Sequence, residues 1–252
     1  MSHYTNVAEK DWATVTQGLV QAHPLDPQVI LETALRAWEK LWMTKVGGEN
    51  GLPLRELAPP ATVIGHFFEK LFTFELAKAS PLLWVGGKGS QKDLHCLTDE
   101  NHAVEIKTSG QLAYKIYGNR SYGQEAGEGV QKKNKSGYYI TVNFYEDKIT
   151  LIRFGWIDAA DWKAQKSQTG QAATLSDSVY AGKLIEIRGP YMLDAPVGIL
   201  PKVGDKAVAD LNSAGIVTIR QLVAAGDAMI PQGYHKLAAR TRQAFADVFP
   251  SK

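Results

Sequence analysis

The stretch Gln91–Gly110, QKDLHCLTDENHAVEIKTSG, reads as two strands around a turn. Leu94 and Cys96 alternate with Asp93 and His95, Thr98-Asp99-Glu100-Asn101 is turn chemistry, and Val104 and Ile106 alternate with Glu105 and Lys107. Strand side chains point to opposite faces with a period of two, so Glu105 and Lys107 share one face and Val104 and Ile106 the other. A hairpin folded about Asp99-Glu100-Asn101 sets Asp93 opposite Lys107 and His95 opposite Glu105. Opposed residues lie about 5 Å apart at Cβ and diagonal ones about 7–8 Å. The pattern predicts that Asp93, Glu105 and Lys107 converge on one small volume.

Two carboxylates that close repel each other unless a cation neutralises them. Mg²⁺ suits the position: a hard ion that takes oxygen ligands, polarises a phosphoryl oxygen and acidifies water. Lys107 beside it would orient that water or offset charge on the phosphorus. The set suits metal-assisted phosphodiester hydrolysis; the plain alternative is a surface hairpin with a Glu–Lys pair. Asp93, eleven intervening residues, then Glu105-Ile106-Lys107 resembles the core of the PD-(D/E)XK nucleases. Where their pattern has Pro before the Asp, this chain has Lys92. The resemblance implies that Asp93, Glu105 and the Ile106 carbonyl bind Mg²⁺ and that Lys107 assists the attacking water.

Composition is ordinary for a soluble chain of 252 residues, 44% apolar and 21% charged, enough for one full-sized domain and a small one. The net charge of +2 gives no global basic signature, so nucleic-acid binding must come from local patches. Cys96 is the only cysteine, which excludes a disulfide framework, and a zinc site of His95, Cys96 and His102 is disfavoured because Cys96 faces away from His95. No apolar run is long enough for a membrane span, and no signal-peptide pattern opens the chain, so the expected compartment is the cytoplasm.

Along the chain, a helix is expected over 6–21 and another from Asp26-Pro27 to about Lys45, with Asp26 as N-cap and Ile30, Leu31, Leu35, Trp38, Leu41 and Trp42 on its apolar face. A third covers 61–79 with Val63, Ile64, Phe67, Phe68, Leu71 and Phe72 as its stripe. Glu69 sits at the edge of that stripe. Gly65 to Glu69 resembles the Gly-x-x-x-Glu helix that precedes the core hairpin in PD-(D/E)XK nucleases, which would add Glu69 to the site; Glu75 is the weaker candidate. The segment 84–90, WVGGKGS, reads as a flexible connection and lacks the pattern of a nucleotide P-loop, so no nucleotide cofactor is expected. The polar stretch 108–137 carries Asn119, Arg120 and Gln124 as candidates for base contact and Lys132, Lys133 and Lys135 for phosphates. Strands are expected over 138–144, 148–156 and 183–188, a short helix over 158–165, and a connector or helix start over 169–175. The order predicts an α/β fold: a mixed β-sheet core flanked by helices.

The stretches EIKTS (105–109), GNRSYGQ (118–124), SGYYITVNFYEDKITLIRFGWIDAADW (136–162) and TGQAATL (169–175) together resemble the ScaI-type restriction endonucleases. That resemblance implies Mg²⁺-dependent cleavage of double-stranded DNA at a short site, leaving 3′-hydroxyl and 5′-phosphate ends, and a homodimer to match a palindrome. A nuclease domain of residues 1–194 is then followed by a small all-α module, 195–252. There, LPKVGDKAVADLNSAGIVTIRQL (200–222) resembles a helix-hairpin-helix DNA-binding motif, with Lys202, Gly204 and Lys206 placed for backbone phosphates. Repair or junction nuclease, and DNA-binding module without catalysis, are the alternatives.

Overall fold

A computed structural model describes residues 2–89, 91–118, 135–164 and 172–249. The candidate base and phosphate contacts Asn119, Arg120, Gln124, Lys132 and Lys133 lie outside the described residues. The chain divides into two units. One comprises Met1–Gly110, Lys115–Asn143 and Ile152–Ile187; the other comprises Gln111–Tyr114, Phe144–Leu151 and Arg188–Lys252.

The first unit opens with helices α1 (Trp12–Ala22) and α2 (Pro27–Met43). Asp26 caps α2 by accepting the Gln28 N–H at 2.6 Å, with Pro27 at the first helical position. Its buried side is Ile30, Leu31, Ala34, Ala37, Trp38 and Leu41, whereas Leu35 is exposed. A small hairpin, β1 (Lys45–Val46) and β2 (Leu52–Pro53), follows and leads through α3 (Leu54–Leu57) into α4 (Ala61–Ala79). Helix α4 buries Ile64, Phe68, Phe72 and Leu76, one residue per turn. Val63 and Phe67 of the expected stripe are exposed, because the buried face is rotated toward Gly65, Thr73 and Glu75.

A six-stranded sheet carries the core, in the order β11-β8-β7-β5-β4-β3. Its strands are β3 (Trp84–Gly86), β4 (Leu94–Cys96), β5 (Val104–Gly110), β7 (Gly137–Tyr145), β8 (Lys148–Ile157) and β11 (Leu184–Glu186). Several short elements were not expected as strands. Trp84–Gly86 pairs antiparallel with β4 instead of forming a flexible connection, since Trp84 is buried and anchors the segment. Ala173–Thr174 forms β10, the middle strand of a second sheet with β6 (Tyr117–Gly118) and β9 (Lys163–Ala164). The helix expected over 158–165 is reduced to one 3-10 turn, Ala159–Asp161, because Asp158 and Asp161 close a capping box over it. Ile116, Tyr139, Ile157, Trp162, Leu175 and Val179, the last on α5 (Asp177–Gly182), pack into one cluster.

Two buried titratable groups here are closely paired. The Lys183 ammonium, 3% exposed, bonds Asp158 at 2.8 Å and Asp161 at 2.8 Å and lies over the Tyr4 and Trp12 rings. Burial, together with the nearby charges of Asp158 and Asp161, pushes the Tyr4 hydroxyl up to about 12. His23 is enclosed by Trp84, Tyr138 and Phe154. Its Nδ1 accepts the Leu25 N–H at 3.1 Å, so the proton is on Nε2, which donates to the His102 carbonyl at 3.0 Å.

The second unit holds α6 (Asp205–Ser213), α7 (Ile219–Ala224) and α8 (His235–Ala244). Leu193, Val197, Leu211, Ile219 and Leu222 form its core. Gly215, at φ +78°, ends α6: its N–H returns to Asn212 O and that of Ile216 to Leu211 O. Thr218 caps α7 in a capping box with Gln221. The last helix, α8, follows a turn in which Gly233 adopts φ +99°. Among the described residues no helix is long and apolar enough to cross a membrane.

Burial lowers the His23 pKa to about 4 from 6.5. The unfolded chain therefore takes up a proton below pH 6.5 that the folded chain refuses until about pH 4. Stability present above pH 6.5 falls by roughly 2–3 kcal/mol as the pH drops through that window. Urea unfolding at pH 7 and pH 4.5 measures this, and His23→Gln should flatten the difference.

Candidate active site

The site is built where β4, β5 and α4 meet. Asp99 accepts the Asn101 N–H at 2.9 Å and starts a 3-10 turn, Glu100–His102. That turn places Leu94 opposite Val104. The expected register, Asp93 opposite Lys107 and His95 opposite Glu105, is thus shifted by two residues, and continuing the ladder brings Asp93 across from Glu105. A two-residue slip preserves the faces, so the acidic pair still meets. Asp93 Oδ2 accepts the Ile106 N–H at 2.9 Å, which fixes the carboxylate against the strand that carries Glu105.

On β5, Val104 and Ile106 are fully buried in the core while Glu105 and Lys107 point to the opposite face. Lys107 Nζ donates to Glu105 Oε1 at 2.6 Å and to the Ile106 carbonyl at 3.2 Å. Glu105 is itself 3% exposed, a burial that a carboxylate tolerates only when paired. Helix α4 supplies the third carboxylate. A Cβ on Gly65 would collide with Thr108 Oγ1 of β5, so the absence of a side chain lets the helix lie directly on the strand. Glu69, one turn on, is half-buried, with His66 Nδ1 3.3 Å away. The other candidate, Glu75, is instead bound to Lys40 of α2 at 2.6 Å.

Burial raises the pKa of Glu69, the Asp93 charge raises it further, and the Lys107 ammonium and His66 pull it back. Burial opposes the Lys107 charge, but the attraction of Glu105, Asp93 and Glu69 outweighs it and raises that pKa. Asp93, Glu105, Glu69 and Lys107 therefore form one electrostatic group, although they come from two strands and a helix. Among the described residues, no three Asp, Glu, His or Cys side chains are gathered tightly enough to enclose an ion by themselves. The carboxylates are drawn around the lysine ammonium.

The model of the ScaI restriction endonuclease family matches residues 2–188. This chain belongs to that family. It is 35% identical over 195 residues to the Type II restriction enzyme ScaI of Streptomyces caespitosus, covering 74% of this chain and 84% of that enzyme. No solved structure matches it. The chain is thus a restriction endonuclease, and the matched region contains the whole acidic group.

Of the remaining expected contacts, Lys135 is half-buried, and its carbonyl accepts the Tyr139 hydroxyl at 2.6 Å. In the second unit, Lys202 is exposed at φ +65°, Gly204 precedes α6, and Lys206 is bound to Asp210 at 2.6 Å. Neither Lys92 nor Asn143 was expected as a binding group, yet Lys92 bonds the Ser136 carbonyl and Asn143 the Lys115 carbonyl. Asn143 would have been hard to find, since a lone Asn in an apolar strand carries no spacing signal.

Because burial and the Asp93 charge both disfavour the Glu69 carboxylate, Glu69→Gln should raise the Tm of the metal-free protein at pH 8 by a few degrees while reducing DNA cleavage. Gly65→Val should lower both, by wedging α4 off Thr108; thermal melts and plasmid cleavage separate the two variants.

Proposed function

We infer that this type II restriction endonuclease hydrolyses double-stranded DNA at a short recognition site through Mg²⁺ held by Asp93, Glu105 and the Ile106 carbonyl, with Lys107 and Glu69 completing the site. The observation that carries the reading is the Lys107 ammonium, bound by Glu105 and the Ile106 carbonyl in the field of Asp93 and Glu69. All donors are oxygens, and two already converge on a cation. Three carboxylates face one ammonium, an excess that a single hard divalent ion balances. The residues fit such an ion.

A bound divalent ion would supply polarisation of a phosphoryl oxygen and a more acidic water. The chain's own groups do the rest. The Ile106 N–H holds Asp93 in place, and burial keeps Glu105 in a water-poor setting where its charge is felt strongly. Lys107 hands its proton-rich end to whichever oxygen gains negative charge, the attacking water or the phosphoryl group. Water adds to phosphorus, the bond to the 3′ oxygen breaks, and 3′-hydroxyl and 5′-phosphate ends result. No covalent enzyme intermediate is needed.

Two further parts of the reading concern assembly. A palindromic site is met by two copies related by a two-fold axis, so the working form is a homodimer. Residues 195–252 act as a helix-hairpin-helix module that grips backbone phosphate. What supports this is Lys202, a non-glycine residue at φ +65° in the turn before α6, a conformation of the kind that persists at functional sites. Asn119, Arg120 and Gln124 are assigned to base contact and Lys132, Lys133 and Lys135 to phosphates.

Digestion of a phage DNA mixture tests the centre. Discrete bands are expected with Mg²⁺, and none with EDTA or with Lys107→Ala; full cutting by Lys107→Ala would remove the lysine from the chemistry. For the module, Lys202→Gly relieves the left-handed strain and should stabilise by about 1 kcal/mol. The same change should weaken binding to DNA at low salt, as read by gel shift.

A further inference from the structure

Lys92 stands directly before Asp93, and both its backbone and its side chain are held. The Gly87 N–H donates to the Asp93 carbonyl at 3.0 Å, and a Cβ on Gly87 would collide with the Lys92 carbonyl. The Lys92 ammonium donates to the Ser136 carbonyl at 2.9 Å and lies 5.2 Å from the centre of the Tyr139 ring. Gly137, at φ +146°, has no side chain where the lysine crosses: a Cβ there would collide with Lys92 Nζ and Cε. Ser136 is fixed from its other side, its hydroxyl accepting the Ala159 N–H at 2.9 Å, while Tyr139 holds the Lys135 carbonyl.

The chain therefore enters β7 at a point fastened to the residue next to Asp93. Lys115 and Ile116 are held by side chains as well. Asn143 Nδ2 donates to the Lys115 carbonyl at 2.9 Å, Arg153 bonds Asn143 Oδ1 at 3.0 Å, and the Tyr180 hydroxyl accepts the Ile116 N–H at 2.8 Å. Lys92 is joined to the acidic group by one peptide bond.

We propose that Lys92 is a positioning residue that fixes the placement of Asp93 by tying it to the start of strand β7 at Ser136. The proposal rests on the reading of Asp93, Glu105 and Lys107 as the cleavage site. A displacement of Ser136 is carried along a side chain pinned at its tip by a hydrogen bond and a ring, and reaches a carboxylate whose position sets the cation site. Misplacement of a reacting group by about 1 Å reduces rates strongly. The effect belongs in the chemical step rather than in affinity. A proline in this place, as in the PD-(D/E)XK pattern, would make no such link.

Single-turnover cleavage of a duplex carrying the site mapped from the enzyme's own products tests this, with protein concentration varied to separate the saturating rate from the half-saturating concentration. Lys92→Met should lower the saturating rate about tenfold and leave the half-saturating concentration within about twofold. Lys92→Arg, which keeps a donor of similar reach, should recover most of the rate, and the Tm of both variants should stay close to that of the wild type. An unchanged saturating rate, a loss confined to the half-saturating concentration, or a rate loss that follows a fall in Tm and is not recovered by Lys92→Arg would each overturn the proposal. Lys107→Ala, run alongside, separates the two layers: if it cuts at the full rate, the reading of the site has failed, not the positioning role alone.

Discussion

Three carboxylates brought close together in a partly buried place are the constraint around which this protein is arranged. Asp93, Glu105 and Glu69 would drive one another apart or take up protons if the chain offered them nothing else. The Lys107 ammonium holds them, and every element near the site contributes to the hold. The Ile106 amide takes one Asp93 oxygen, His66 leans on Glu69, and the bare Cα of Gly65 lets helix α4 come down onto strand β5. The hydrophobic face of α4, through Ile64, Phe68 and Phe72, supplies the adhesion that keeps the helix there against the repulsion.

The same logic is repeated farther along the sheet with a different outcome. Among the described residues Lys183 is as deeply buried as any charge, but two aspartates and two aromatic rings satisfy it, so it fastens the chain. The acidic group at Lys107 has the opposite balance, one cation against three anions. That imbalance is what the proposed cation site calls for, and the group lies within the region matched by the restriction endonuclease family.

The acidic group was legible in the sequence because a strand's period of two is robust: Glu105 and Lys107 share a face in any register. The register itself was not legible. Whether Glu100-Asn101-His102 makes an open loop or a 3-10 turn depends on one Asp99 side chain, and that choice moved Asp93 by two places. The long strands β7 and β8 and helix α4 stood out through their apolar density, whereas the two- and three-residue strands β3, β9 and β10 are too short to show a period. They exist because long-range partners exist. Lys92 went unread for a related reason, since its partner, Ser136, lies 44 residues away in the chain.

The six-stranded sheet ends on both sides in strands of only three residues, β3 and β11. Each offers only a short edge, and Glu186 on β11 is exposed. Such edges give an incoming chain little to template on, which is how many sheet proteins resist edge-to-edge aggregation. For a protein with two long, mostly buried central strands, this brevity at the margins favours recovery of the native fold over amyloid-like stacking when the chain is refolded at high concentration.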